Sequence, residues 1–98
     1  MRGGIMTNRI LMLGSEESVT TGVGNSTTVG GATLVRVFNS SNSTIVLSVD
    51  DPQGISSYSG VGSISIPTNG IEYIEKPTSY NIYSTGGNFK ATKVGFTN

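Results

Sequence analysis

The chain has 98 residues, six of them Lys or Arg and six Asp or Glu, and it contains neither cysteine nor histidine. This length is typical of one domain, and a chain so short buries only roughly 60–65% of the surface that its unfolded form exposes. Without cysteine there is no disulfide, thiolate metal site or Cys nucleophile. Without histidine the commonest general base and transition-metal ligand are missing. We therefore expect no enzymatic activity, no cofactor and no metal site.

The charge balance argues against two classes of partner. Nucleic-acid binding needs a surplus of Lys and Arg to replace counterions on phosphates, and docking on an anionic membrane needs the same surplus. No apolar run approaches the ~20 residues that a membrane span requires. The apolar residues near the start are interrupted by Asn8 and Arg9, which is not the pattern of a signal peptide. We expect synthesis in a cytoplasm without export through the Sec pathway.

The residue types favour strands and turns. Gly, Ser, Thr and Asn supply 48 of the 98 positions, and β-branched residues dominate the apolar set. Strong helix formers are few, and β-branched residues pack well on a pleated sheet. Compact runs of Val, Ile, Tyr and Phe alternate with the polar residues, which argues against disorder of the whole chain. The composition predicts an all-β protein.

The first part of the chain predicts an extended arm. Arg9–Leu13 is a possible first strand. In residues 15–31 the large apolar side chains are only Val19, Val23 and Val29. A stretch this long without clear periodicity is unusual inside a compact domain, so we expect it to become ordered against a neighbouring molecule. We therefore predict an arm at residues 1–31 and a β-domain at 32–98.

A dense series of strands follows the arm. Alternating or β-branched runs separated by Asn, Gly and Pro are typical of short strands. The predicted strands are residues 32–38, 44–49, 62–66, 71–76, 80–84 and 89–94. Ile45, Leu47 and Val49 share one face of their strand, and Ile64 and Ile66 share one face of theirs.

Three polar turns predict three hairpins. They are Asn39–Ser43, the Asn69-Gly70 turn after Pro67, and Thr85–Asn88. Asn-Gly between alternating apolar residues is a strong hairpin signal. Six to eight short antiparallel strands at about ten-residue spacing indicate a single β-sandwich or small barrel.

The acidic residues give weak candidates for chemistry. Asp50 and Asp51 are adjacent, as calcium or magnesium ligands can be, but Pro52 follows at once and the spacing of a calcium loop is missing. Glu72 and Glu75 are three residues apart, so on a strand they point to opposite faces and do not converge as a glycosidase pair. A strand end and solvated charges are the simpler interpretations.

The tyrosines and the valines of the arm are better candidates for binding a partner. Tyrosine packs a large area at small entropic cost, and an aromatic face on a β-scaffold can also stack on a sugar ring. The candidate contact residues are Val19, Val23, Val29, Tyr58, Tyr73 and Tyr83.

Two segments carry a resemblance to a known group of proteins. Gly31–Asn39 is a strand that enters an Asn-rich turn, and Gly62–Lys76 is an alternating strand, a Pro-Thr-Asn-Gly turn and a strand that ends Glu-Lys before Pro77. With the closing Lys90-x-x-Lys93-Val94 strand, this pattern resembles small structural proteins of marine tailed phages, particularly T7-like cyanophages. The resemblance covers about residues 31–96.

That resemblance implies a role for the chain in a virion. It implies a capsid decoration or cement protein that binds the major capsid protein, braces the shell and sits on the capsid surface after synthesis in the host cytoplasm. Self-association as a homo-oligomer is a further expectation. A tail or fibre component, or a module that binds host glycans or receptors, is the alternative.

Overall fold

The computed structural model describes residues 9–51 and 60–97. These residues form eight β-strands and one 3-10 turn at Val23–Asn25. The strands are β1 (Arg9–Met12), β2 (Glu17–Val19), β3 (Leu34–Phe38), β4 (Ile45–Asp50), β5 (Gly60–Ile66), β6 (Ile71–Glu75), β7 (Asn81–Thr85) and β8 (Phe89–Thr97).

The strands form two antiparallel sheets. The larger sheet has five strands in the order β1-β8-β3-β6, with β2 also paired to β8, and the smaller sheet has the order β5-β4-β7. Every described pairing is antiparallel. The predicted all-β domain is confirmed. Of the two architectures that the sequence left open, the two sheets around one core form a sandwich.

The core comes from the inward positions of both sheets. Val35 and Val37 of β3 and Ala91 of β8 are fully buried on the larger sheet. Ile45 and Leu47 of β4 face them from the smaller sheet and belong to the same apolar cluster. The period of two in β3 and β4 therefore places alternate residues inside, as predicted for Ile45, Leu47 and Val49, the last of which packs against the cluster.

The three predicted hairpins are wrong, because each turn joins strands of different sheets. The turn after β3 leads into β4, the Asn69-Gly70 turn leads from β5 into β6, and the turn after β7 leads into β8. None of these strand pairs is hydrogen-bonded in the described residues. The turns are crossings from one layer to the other.

Asn39 explains how the chain crosses at two of these turns. It is 0% exposed, and its side-chain amide donates to the carbonyls of Ser43 and Ile66 at 2.8 Å each. Its Oδ1 accepts from the backbone N–H of Ser41 at 2.9 Å and from the Ser41 hydroxyl. Its backbone carbonyl accepts from Asn69 N–H at 3.0 Å. One buried side chain thus joins the ends of β3 and β5, which lie in opposite sheets.

The crossing between β7 and β8 depends on close backbone contact. A Cβ at Gly87 would lie 2.5 Å from the Ser41 hydroxyl oxygen, so only glycine fits there without displacing the turn after β3. Gly86 has φ +94°, a conformation that side-chain-bearing residues rarely adopt. The crossing after β7 is therefore packed directly against the crossing after β3.

The predicted arm is part of the sandwich. β2 pairs with β8 in the larger sheet, and Thr27 forms an isolated bridge with Ile82 of the smaller sheet. The segment between them passes from one layer to the other and closes one side of the core. The predicted boundary at residue 31 therefore falls within one packed unit, as far as the described residues from Arg9 onward show.

Lys76, the residue after β6, holds this segment in place through hydrogen bonds. The residue is 3% exposed, and its ammonium donates to the carbonyls of Thr28 at 2.9 Å and Ala32 at 2.8 Å. Its backbone N–H donates to Thr33 at 2.9 Å. Because burial removes the ammonium from water, the pKa of Lys76 lies below its ordinary value.

We predict that Asn39→Asp strongly destabilises the fold. The substitution keeps the shape of the side chain but replaces the amide nitrogen, which donates to two carbonyls, with a carboxylate oxygen that cannot donate. We therefore expect a loss of about 2–4 kcal/mol in the free energy of unfolding. Asn42→Asp, at an exposed position in the same turn, is the matched control. Urea unfolding measures both. Equal effects of the two substitutions would show that Asn39 does not hold the crossing.

We predict that Lys76→Met also destabilises the fold, by about 2–4 kcal/mol at pH 7, because two buried carbonyls lose their donor. The difference in unfolding free energy between the unsubstituted protein and Lys76→Met should widen as the pH rises. The unfolded chain keeps its lysine proton up to a pKa of about 10.4. The folded protein releases it at lower pH, and the neutral amine still has two hydrogens to donate. Between those two pKa values the unfolded state binds more protons, so the stability of the unsubstituted protein rises relative to Lys76→Met.

Urea unfolding of both proteins at pH 7 and pH 10 tests this linkage. The difference in unfolding free energy between them cancels the titration of every other group. A difference that stays constant or shrinks at pH 10 would contradict the role of burial at Lys76.

Candidate functional site

The outward positions of the larger sheet follow from its register. Since Val35 and Val37 point into the core, Leu34, Arg36 and Phe38 point outward. Cross-strand partners share a face, so the residues opposite these three on β6 and β8 also point outward. They are Ile71, Tyr73 and Glu75 on β6, and Lys90 and Thr92 on β8. By the same alternation Val94 and Phe96 are outward, with Met12 and Ile10 beside them.

These positions form a surface that we call the outer apolar face. Its large hydrophobic residues are Ile10, Met12, Leu34, Phe38, Ile71, Tyr73, Val94 and Phe96. Ile10, Met12, Ile71, Tyr73 and Phe96 are exposed to solvent. No described strand packs over this side of the sheet, since the smaller sheet packs on the opposite side.

An aromatic pair gives this face local order. The rings of Tyr73 on β6 and Phe96 on β8 are 5.1 Å apart between centroids and tilted by 54°. This is the geometry that aromatic rings prefer, and such a pair contributes about 0.5–1.5 kcal/mol beyond its buried area. Val94 is 2% exposed but is not part of the core cluster. It is therefore buried on the outer side, as is the outward residue Thr92.

The outer side of the larger sheet also contains a groove. It has a volume of about 570 Å³, and its lining includes Ile10, Met12 and Val94. Arg36 and Glu16 also line it and form an ion pair at 3.6 Å. Both side chains are partly exposed, so the pair contributes only about 0–1 kcal/mol to stability. The groove therefore combines apolar side chains with one positive and one negative group.

The smaller sheet presents a different exterior. Its outward residues include Ser48, Ser63, Ser65, Tyr83 and Thr85, with Val46 and Val61 as exposed apolar exceptions. Small hydroxyl side chains are common on this face, and because they stay hydrated there they have no desolvation cost. The two outer surfaces of the sandwich are therefore chemically unlike, and only the larger sheet presents a continuous apolar one.

Two predicted contact residues belong to the core. Val19 and Val29 are 5% and 3% exposed and join the apolar cluster, so they are not available to a partner of the folded domain. The prediction was wrong because these valines fill the side of the sandwich that their own segment closes. Val23, in the 3-10 turn, is exposed, so its contact with a partner stays a prediction.

The three predicted tyrosines do not form one site. Tyr73 lies on the outer apolar face, as its pairing with Arg36 requires. Tyr83 pairs with Ser48 and lies on the outer side of the smaller sheet, across the molecule from Tyr73. Tyr58 lies outside the described residues. Tyr73 and Tyr83 therefore cannot contact the same small ligand.

Most residues of the outer apolar face were not predicted from the sequence. Ile10, Met12, Ile71 and Phe96 were not proposed as contact residues. The signal was present in β3, where five successive residues include four large apolar ones. Such a run is typical of a strand that is apolar on both faces.

The acidic candidates remain apart in the structure. Glu72 pairs with the inward Val37 and Glu75 with the outward Leu34, so their side chains leave opposite faces of β6. Among the described residues there is no cluster of three or more potential metal ligands. In the same ranges no helix is long and apolar enough to cross a bilayer.

Comparisons with known proteins gave no match to a family model, to a curated protein or to a solved structure.

Proposed function

We propose that the chain is a structural protein of a phage virion, a capsid decoration protein that docks on the major capsid protein through the outer apolar face. The observation that carries the proposal is the apolar exterior of the five-stranded sheet beside the polar exterior of the smaller one. The resemblance of residues 31–96 to small phage structural proteins is the reason to propose a phage virion as the assembly.

The energetics favour docking through this face. Covering apolar surface contributes about 25 cal/mol per Å², and interface centres are enriched in aromatic residues and Met and poor in charge. Tyr73, Phe96 and Met12 match that composition. Since Tyr73 and Phe96 already hold each other in a fixed arrangement, little side-chain entropy is lost when a partner covers them.

The charges of the face indicate a protein partner. Arg36 and Lys90 are accompanied by Glu16 and Glu75, so the face has no net charge from these four. A nucleic acid or an anionic lipid surface would need a positive excess. A protein lattice with its own apolar contact patch needs none.

Co-sedimentation with capsids of the phage that encodes the chain tests the proposal. We predict that Ile71→Ser combined with Phe96→Ser lowers the affinity at least about tenfold, because each lost apolar contact costs about 1 kcal/mol or more. Val46→Ser combined with Val61→Ser, on the outer side of the smaller sheet, is the matched control and should bind normally. Urea unfolding establishes that both variants are folded.

Two results would contradict the proposed docking. One is unchanged capsid binding by the folded Ile71 and Phe96 variant. The other is loss of binding by the Val46 and Val61 control alone, which would place the contact on the opposite side of the sandwich.

A tail or fibre module that binds host glycans is the second candidate, and the exposed Tyr73–Phe96 pair favours it. Exposed aromatic faces can stack on sugar rings. Because Tyr73 and Tyr83 lie on opposite sides of the molecule, we predict that Tyr73→Ala abolishes binding on a glycan array and Tyr83→Ala does not. Binding that depends on Tyr83, or a silent array, would count against this function.

A further inference from the structure

The strand β1 is an apolar edge of the larger sheet. It pairs with β8 on one side, and no described strand pairs with it on the other. Ile10 and Met12 point outward, whereas Leu11 shares the inner side with Gly95, and all three are exposed. Leu13, directly after the strand, is also exposed. Both faces of this edge are thus apolar.

The hydrogen bonds of β1 show which backbone groups are free. The N–H of Leu13 donates to the carbonyl of Lys93 at 2.9 Å, so the odd-numbered residues of β1 are those that bond to β8. In an antiparallel ladder successive residues bond to alternate sides. The N–H and C=O groups of Ile10 and Met12 therefore point away from β8, toward the free edge.

Among the other described edges, β6, β2 and β7 are protected, whereas β5 also has no described partner on one side and carries no charge. β6 carries Glu72 and Glu75, and β2 carries Glu17. β7 is covered by the segment that contains Thr27 and Gly22, through a bridge to Ile82 and a hydrogen bond to Ser84. Charged residues and covering segments are the devices by which proteins block edge-to-edge pairing. Residues 10–15 contain no charged residue.

We propose that β1 pairs antiparallel with β1 of a second copy of this chain, which joins the two larger sheets into one continuous sheet. In one continuous sheet, two residues paired across the new edge must point to the same face. The backbone N–H and C=O groups that are free to pair belong to Ile10 and Met12. Of the registers that meet both conditions, the one that pairs both Ile10 and Met12 within the strand places Ile10 opposite Met12 of the second copy, twice, around a central Leu11–Leu11 pair.

A second copy suits this edge because the strand is complementary to itself in that register. Apolar residues meet apolar residues on both faces, and each Arg9 lies opposite Leu13 of the other copy. The two Arg9 residues are then about 14 Å apart along the strands, beyond the ~10 Å over which exposed charges repel each other at ordinary salt. The chain has no net charge that would oppose association. The two-fold axis is perpendicular to the sheet, so both outer apolar faces lie on the same side of the dimer.

A single cysteine tests the register, since the chain has none of its own. A directly opposed, non-hydrogen-bonded pair has its Cα atoms about 4.5 Å apart, within the range of a disulfide. We expect Leu11→Cys to form a disulfide-linked dimer under mild oxidation, detected on a non-reducing gel. Val46→Cys, exposed on the smaller sheet, is the control and should stay monomeric.

Proline variants test the hydrogen bonds separately from the fold. Met12→Pro removes an N–H that points to the free edge, whereas Leu11→Pro removes one that points to β8. We expect the wild-type protein to sediment as a concentration-dependent dimer and Met12→Pro as a folded monomer with nearly unchanged urea unfolding. Leu11→Pro should lower the unfolding free energy.

The proposal is overturned if the wild-type protein sediments as a monomer at high concentration and Leu11→Cys cross-links no better than Val46→Cys. It is also overturned if Met12→Pro remains dimeric. These measurements use the purified chain without capsids, so their outcome does not depend on the proposed function, and capsid docking can fail or succeed independently.

Discussion

The central strand of the larger sheet, β3, is apolar on both faces, and this constraint governs the rest of the molecule. Val35 and Val37 require an apolar layer on one side, and the smaller sheet supplies it. Leu34 and Phe38 require cover on the other side, where neighbouring Ile71, Tyr73 and Phe96 extend the apolar surface without shielding it. A sheet with two apolar faces is normally covered on both. The single covered face is the physical reason to regard the other as a contact surface.

The crossings between layers show the limit of local sequence reasoning. All the strands except β2 were predicted within a few residues, since a period of two and β-branched runs are local signals. Their pairing was predicted wrongly, because Asn39 and the Asn69-Gly70 turn look like hairpin turns in sequence. What makes them crossings is the burial of the Asn39 amide against Ile66, a residue 27 positions away. Such a contact is not visible in the spacing of turn residues.

The segment before residue 31 was misjudged for a related reason. Val19 and Val29 are isolated in the sequence, without the periodicity that signals a core element. Their burial depends on partners from the far end of the chain, since β2 pairs with β8 and Thr27 bridges to Ile82. Lys76 also holds this segment through hydrogen bonds to Thr28 and Ala32, although its place in the sequence indicated only a solvated strand end. For the candidate site, Tyr73 was found from its residue type. Phe96 was missed because the predicted last strand ended at residue 94, whereas pairing with β1 extends β8 to Thr97.

The central claim is that the outer apolar face, and not the polar side of the sandwich, is covered by a partner in the assembled particle. Carbene footprinting of side chains on the free chain and on intact virions measures this cover directly, residue by residue. The account predicts that Ile71, Tyr73 and Phe96 become protected in the virion while Val46 and Val61 keep their reactivity. Protection of Val46 and Val61, with the outer apolar face still reactive, would contradict it.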